Sequence, residues 1–400
     1  MPRQADQYLL PEAYIKINWK HWGLMVGRER RIIGIVDTTL TSGSYSWSGN
    51  SLPVPMVRLS VEDYIPLGIL KNIISFKGSY VHGWFNVPYI QGAYLHQKTF
   101  YGRLGKPEGR FHFQFGLAHS VTWGGSADYL RDSPVAVNGK LTTNFGDYVW
   151  GVVLGKIPRD KMNSRFTMFD GTNRVGNHVG HYDMALDWKI KKTSFLFYRQ
   201  HPFEDASGLQ FQNLPDGLYG LSIRRGDEPP SFVSVKKFVA EFLYTRNQSG
   251  PVFDPAARYQ GRDDYFNHAQ YRQGWSYLNH GMGTPFIPLG EGTRQEVYAD
   301  REFFPTNQTK LIHLGVELLL AKKIRLLAKY SSGMNFGTFN VPFLTPVRQQ
   351  SSLLSLDAPL FSGGNTRIKA QLAYDKGGLY PESLGGYLGF RSSFSKRKDR

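Results

Sequence analysis

In the stretch HYDMALDWKI, residues 181–190, Tyr182, Met184, Leu186, Trp188 and Ile190 fall on one side of an extended chain. His181, Asp183, Asp187 and Lys189 fall on the other, with small Ala185 among them. This period of two is a β-strand signal. The same pattern recurs. Phe111, Phe113, Phe115 and Leu117 oppose His112, Gln114, Gly116 and Ala118. Ile312, Leu314, Val316, Leu318 and Leu320 oppose His313 and Glu317. Ile368, Ala370, Leu372 and Tyr374 oppose Arg367, Lys369, Gln371 and Asp375.

Two properties of these segments restrict the fold. They run well past the ~5–6 residues of an average soluble strand. Ten residues at ~3.4 Å each, tilted by ~40°, cover about 25 Å, the apolar height of an outer-membrane barrel. Their polar face also carries charge, which a second packed sheet would bury, so that face meets water. The apolar face is therefore expected to meet lipid. Tyr182, Trp188, Trp84, Tyr330 and Tyr374 lie near strand ends, where aromatic girdles form.

The connections sort by length. Residues 190–193 and 321–323 read as tight turns, and 124–147, 156–180, 201–217, 246–290 and 334–364 as long loops. The expected fold is all-β: a transmembrane antiparallel up-and-down barrel of about 16–18 strands, with long extracellular loops and short periplasmic turns. A single barrel domain is expected over 1–394, its first strands either truncated or different in this chain, followed by a basic tail at 395–400. The rival is a large soluble all-β protein whose apolar faces form a sandwich core.

A net charge of +16 suits an acidic partner. The cations are dispersed along the alternating segments, and no nucleic-acid motif appears, so nucleic acid is not the expected partner. There is no Cys, hence no thiolate metal site. No segment has the ~18 apolar residues of a membrane helix, and no signal peptide is visible at the start of the sequence.

Unusual residues gather in the loops. Glu204 and Asp205 read as a carboxylate pair for glycoside hydrolysis or as turn chemistry, and the turn reading is preferred. Asp263, Asp264 and His268 match no metal spacing. Arg262, Asp263, Arg272, Trp275, Tyr277 and Asn279 make better sense as a sugar-binding loop. Aromatic faces stack on pyranose rings, while Arg, Asn and Asp bond hydroxyls or carboxylates. The same loop also reads as an aromatic plug in the lumen. His178 and His181, three apart on a strand, lie on opposite faces. Trp123 reads as a functional loop entry or a girdle residue. No nucleophile elbow, phosphate loop or zinc-protease motif appears.

Several blocks carry a resemblance: TSGSYSWSGNSLPVPMVRLSVEDYIPL, AYLHQKTFYGRLG, FQFGLAHSVTWGG, FYRQHPFEDASGLQFQNLPDGLYGL, and NQSGP followed by GRDDYFNHAQYRQGWSYLNHGMGTPFI. In order and spacing they resemble the Wzi-type capsule assembly proteins of Gram-negative outer membranes. That resemblance implies a monomeric barrel of the cell outer membrane that binds or organises capsular or exopolysaccharide, acidic in character, without enzymatic turnover or cofactor. The glycan-contacting set expected on this reading is Arg262, Asp263, Arg272, Trp275, Tyr277, Asn279, Glu204, Asp205 and Trp123. Outer-membrane lipid and lipopolysaccharide are the expected surroundings. A porin-like channel for anionic solutes and a barrel enzyme acting on glycans or lipids are the alternatives.

Overall fold

The structure, a computed structural model, describes residues 10–226, 232–254, 256–257, 261–297, 302–361 and 366–393. The tail at 395–400 lies outside them. One sheet holds 17 strands. Two of these, Gly125–Ser126 and Lys140–Leu141, are short ribbons within a loop. The other fifteen form an antiparallel wall in which each strand pairs with the next. They are β1 (Ala13–Trp19), β2 (Trp22–Arg28), β3 (Met56–Pro66), β4 (Ile74–Val87) and β5 (Ile90–Leu104). Next come β6 (Phe111–Trp123), β7 (Asn177–Ile190), β8 (Thr193–Phe203), β9 (Gly217–Arg225) and β10 (Val233–Tyr244). The last five are β11 (Thr309–Leu320), β12 (Ile324–Gly337), β13 (Pro342–Pro359), β14 (Thr366–Gly377) and β15 (Ser383–Ser392). Among the described residues no pairing joins β1 to β15.

The alternation is inverted relative to a soluble protein. On β7, Met184, Leu186, Trp188 and Ile190 are exposed, while His181 and Asp183 are buried. Apolar side chains also point outward along the other strands, among them Phe100, Phe115, Phe197, Ile312, Leu354, Leu372 and Phe390. A sandwich would bury those faces and expose the charges. An outward apolar belt around a polar interior is the arrangement a lipid solvent selects. Trp84, Trp188, Tyr330 and Tyr374 are exposed on this belt. Tyr182 is not, because Phe211 stacks on it at 5.3 Å.

The tight turns after Ile190 and Leu320 fall where the sequence places them. The expected loops 124–147 and 156–180 form one connection that ends where β7 begins at Asn177. The stretch 334–364 is not a loop: β12 runs to Gly337 and β13 spans Pro342–Pro359. Pro342, Pro346 and the run Gln349–Ser352 hide its alternation. Long connections still gather at one rim, at 29–55, 124–176, 204–216 and 245–308.

The first of these folds inward. Every residue from Leu40 to Gly49 is buried, and the segment crosses the lumen as a plug. Inward side chains of the wall satisfy its backbone. Ile35 N donates to Asp183 Oδ1 (3.0 Å), Tyr45 N to Gln200 Oε1 (2.8 Å) and Ser42 N to Glu241 Oε2 (2.6 Å). Lys329 Nζ donates to Thr41 O at 3.1 Å, and His313 Nε2 lies 2.7 Å from Leu40 O. Asp37 meets Ser222 and Arg224, each at 3.1 Å. Buried backbone groups require such partners. Gly315 is needed for this approach: a Cβ there would sit 3.0 Å from Leu40 O.

Candidate functional site

The long loops build a lid over the plug. Its core is aromatic: Tyr265, Phe266, Tyr271, Trp275, Tyr277 and Phe304 are buried with Tyr45 and Trp47 of the plug. Trp275 Nε1 donates to Ser46 O at 2.7 Å, and Tyr277 packs on Phe85 at 5.7 Å. Both rings are 0% exposed. They do not present a face to a sugar; they weld the lid to the plug. The plug reading of this loop describes these rings, and the stacking reading does not. Asn279 is exposed in the turn of a small hairpin, its side chain 3.4 Å from Glu291. Trp123 lies on the outside of the wall, packed between Tyr94 (5.1 Å) and Tyr148 (4.7 Å).

The other five expected residues come together. Glu204, Asp205, Arg262, Asp263 and Arg272 all line one cavity of about 1170 Å³ at the long-loop rim. Three connections form it: 154–178, 204–207 and 253–303. Asp205 caps the short helix Ala206–Leu209, accepting from Ser207 N (2.8 Å) and Gly208 N (3.2 Å). Asp263 accepts from Ser207 Oγ and Ser249 Oγ, each at 2.8 Å. Glu204 accepts from Phe266 N (3.0 Å) and Tyr45 OH (3.1 Å). Arg262 donates to Asn340 Oδ1 at 2.6 Å. The Arg272 guanidinium lies 4.5 Å over the Tyr129 ring, a geometry that leaves its edge open to the cavity.

Sequence reasoning missed Arg174, Asn267 and Glu302, which also line the cavity, and weighed Asp264 only as a metal ligand. Their signal was weak, because single polar residues in long loops carry no spacing pattern. The lining is mixed in sign: Lys156, Arg174, Arg262 and Arg272 face Asp170, Glu204, Asp205, Asp263, Asp264 and Glu302. It is not the basic basin that the total charge suggests. Burial and then the neighbouring Asp205 push the Asp263 carboxyl up.

Burial also raises Asp216 and Asp264, each to about 6. Asp216 sits beneath the lid, accepting from Gln248 N (2.8 Å) and Tyr265 OH (2.7 Å). A carboxyl raised on folding contributes stability below its unfolded pKa, and that contribution is lost as pH rises through the folded value. The lid should therefore loosen between about pH 4 and pH 6, by up to about 3 kcal/mol per carboxyl. Amide exchange in 213–216 and 264–267, corrected for intrinsic rates, is expected to be faster at pH 7.5 than at 4.5. Asp216→Asn should flatten the difference at 213–216.

No family model and no curated protein matches this chain. Solved structures do. Wzi of Escherichia coli, described as an outer-membrane protein involved in group 1 capsule assembly and a carbohydrate-binding β-barrel, superposes with a TM-score of 0.60 at 14% identity. The match covers 96% of this chain and 70% of that one. The chain has the fold of Wzi. The Wzi-like fold accounts for the outward belt. OccK5 of Pseudomonas aeruginosa also matches, at a TM-score of 0.42 and 9% identity over 96% of this chain and 81% of that chain, too distant to argue from.

Proposed function

We propose that this chain is a non-enzymatic outer-membrane barrel that holds polysaccharide at the cell surface. The observation that carries this reading is the pairing of a filled lumen with a large polar cavity at the long-loop rim. A diffusion pore needs an open path, and here the plug crosses it. A sugar polymer needs a cleft lined with donors and acceptors for hydroxyls, which Asn267, Asp263 and the arginines supply. The carbohydrate binding described for Wzi agrees with it. Acidic character in the polymer is supported by the net charge of +16 and not by the cavity lining, where four cations stand against six acids.

Arg272→Ala tests the reading. Arg272 reaches the cavity and makes no ion pair among the described residues, so its loss should leave the barrel intact. Retention of cell-surface polysaccharide is expected to fall about tenfold, the effect of one charge-assisted contact. Unchanged retention in a folded variant would count against the cavity. A uronic-acid polymer that binds no better than a neutral one would remove the acidic partner and leave the rest.

A further inference from the structure

The strand register shows what the wall carries outside the plug. Tyr80, Lys98, His119 and Gly180 form one cross-strand row, and His82, His96, Val121 and His178 form the next. Both rows alternate with inward residues such as Val81, Leu95 and His181, which meet the plug or its core. They therefore face outward, on the side that lipid would wet. A row of histidines cannot stand there bare.

The connection between β6 and β7 covers it. Residues 144–175 fold down over the outside of the wall as a flap. Tyr148 OH lies 3.0 Å from His96 Nδ1 and 2.6 Å from Tyr80 OH, and Lys98 Nζ donates to Val153 O. Val152, Phe166 and Val175 pack on Val121 and Trp123. His96, His119 and His178 are all buried beneath it.

The flap then offers a surface of its own. Phe145 is 77% exposed, Leu154 61% and Met168 88%, with Trp150 beside them at 37%. Lys161 Nζ lies 5.4 Å over the Trp150 ring, next to exposed Asp160, while Arg165 is half-exposed and paired with Asp147. Two of the flap's acids are spent inside: Asp147 binds Arg165 and Thr142, and Asp170 closes a capping box on Thr167. Through Tyr80 this surface is continuous with the lipid-facing belt.

We propose that the outer face of the flap is a binding site for a phosphate-bearing acylated glycolipid of the outer leaflet. The inference rests on the reading that the barrel lies in an outer membrane with its long loops outward. At that rim acyl chains end and phosphorylated sugar headgroups begin. Phe145, Trp150 and Met168 suit the acyl boundary, and the lysine beside the indole suits the phosphate. The flap thus replaces a polar stretch of wall with a lipid anchor: its inner edge, with Leu154, Lys156 and Arg174, borders the glycan cavity, while Phe145, Trp150, Lys161 and Met168 lie outside that lining.

Native mass spectrometry on detergent-solubilised full-length protein tests this. The probes are bisphosphorylated lipid A, the same lipid dephosphorylated, phosphatidylethanolamine, and inorganic phosphate. The bisphosphorylated lipid is expected to bind at about tenfold lower concentration than the dephosphorylated one, with phosphate alone not binding. Lys161→Glu should weaken that binding about fivefold or more, the effect of one lysine at an anionic surface. Trp150→Ala should weaken both lipids. Heat-modifiable migration reports that each variant is folded, and Lys161→Gln serves if the Glu variant is not. Equal binding of the two lipid A forms, equal binding of phosphatidylethanolamine, or no change at Lys161 would overturn the site. Lys161 lies outside the cavity lining, so polysaccharide retention should stay unchanged in its variants. A chain that stays monodisperse without detergent would instead overturn the membrane reading itself.

Discussion

Excising residues 32–48 and bridging the gap with a short Gly–Ser linker should turn a silent barrel into a conducting one. In planar bilayers the intact chain is expected to give no steady current. Without the plug, Asp183, Gln200, Glu241 and His313 lose the partners they hold in the lumen and line a wet passage. The lid loses its floor as well, because Trp275 is bonded to Ser46 and Thr284 N to Tyr45 O. Large steady currents from the intact chain would favour the porin alternative and remove the plug's role in the proposed function.

Glu241→Ala should give the largest stability loss of any single lumen substitution. Its carboxylate accepts from Ser42 N and Thr41 Oγ1, each at 2.6 Å, and from Tyr198 OH. Hydrogen bonds to a charged group contribute about 1.5–3 kcal/mol each, and a buried donor left alone costs more. Roughly 3 kcal/mol or more should be lost, read as a lower midpoint for the heat-modifiable transition. Glu241→Gln keeps the shape and should lose less. An Ala variant with an unchanged midpoint would mean that the plug is held elsewhere.

These predictions draw on features of unequal legibility. The wall was readable because period-2 alternation is local: each of Met184, Leu186 and Trp188 reports its own side. β13 was not, because Pro342, Pro346 and the serine run interrupt the pattern while leaving the hydrogen-bonded ladder intact. The plug escaped notice for a different reason. Thr41–Gly49 has no period, and its burial depends on partners from β7 to β12 that no local window contains. Trp275 and Tyr277 illustrate the limit at the site. Aromatic residues in a polar loop suit a sugar platform and a packed lid equally well in sequence, and only the tertiary neighbours Ser46 and Phe85 decide between them. Of the cavity's charged residues, Glu204, Asp205, Arg262, Asp263 and Arg272 stood out in polar loops, whereas Arg174 and Glu302 lie in stretches with no pattern to mark them.

The plug's bonds also constrain the order in which the molecule can be made. Ile35 is separated from its acceptor by 148 residues, Ser42 from its by 199, and Thr41 from Lys329 by 288. Contacts so remote carry the heaviest loop-closure entropy and form last. Hairpins between neighbouring strands can zip early, but the inner segment has nothing to hold until β12 is in place. Newly inserted molecules should thus pass through a stage with an open mouth. On the proposed outer-membrane reading, a cell making this protein would be transiently leaky in proportion to how slowly that final step runs.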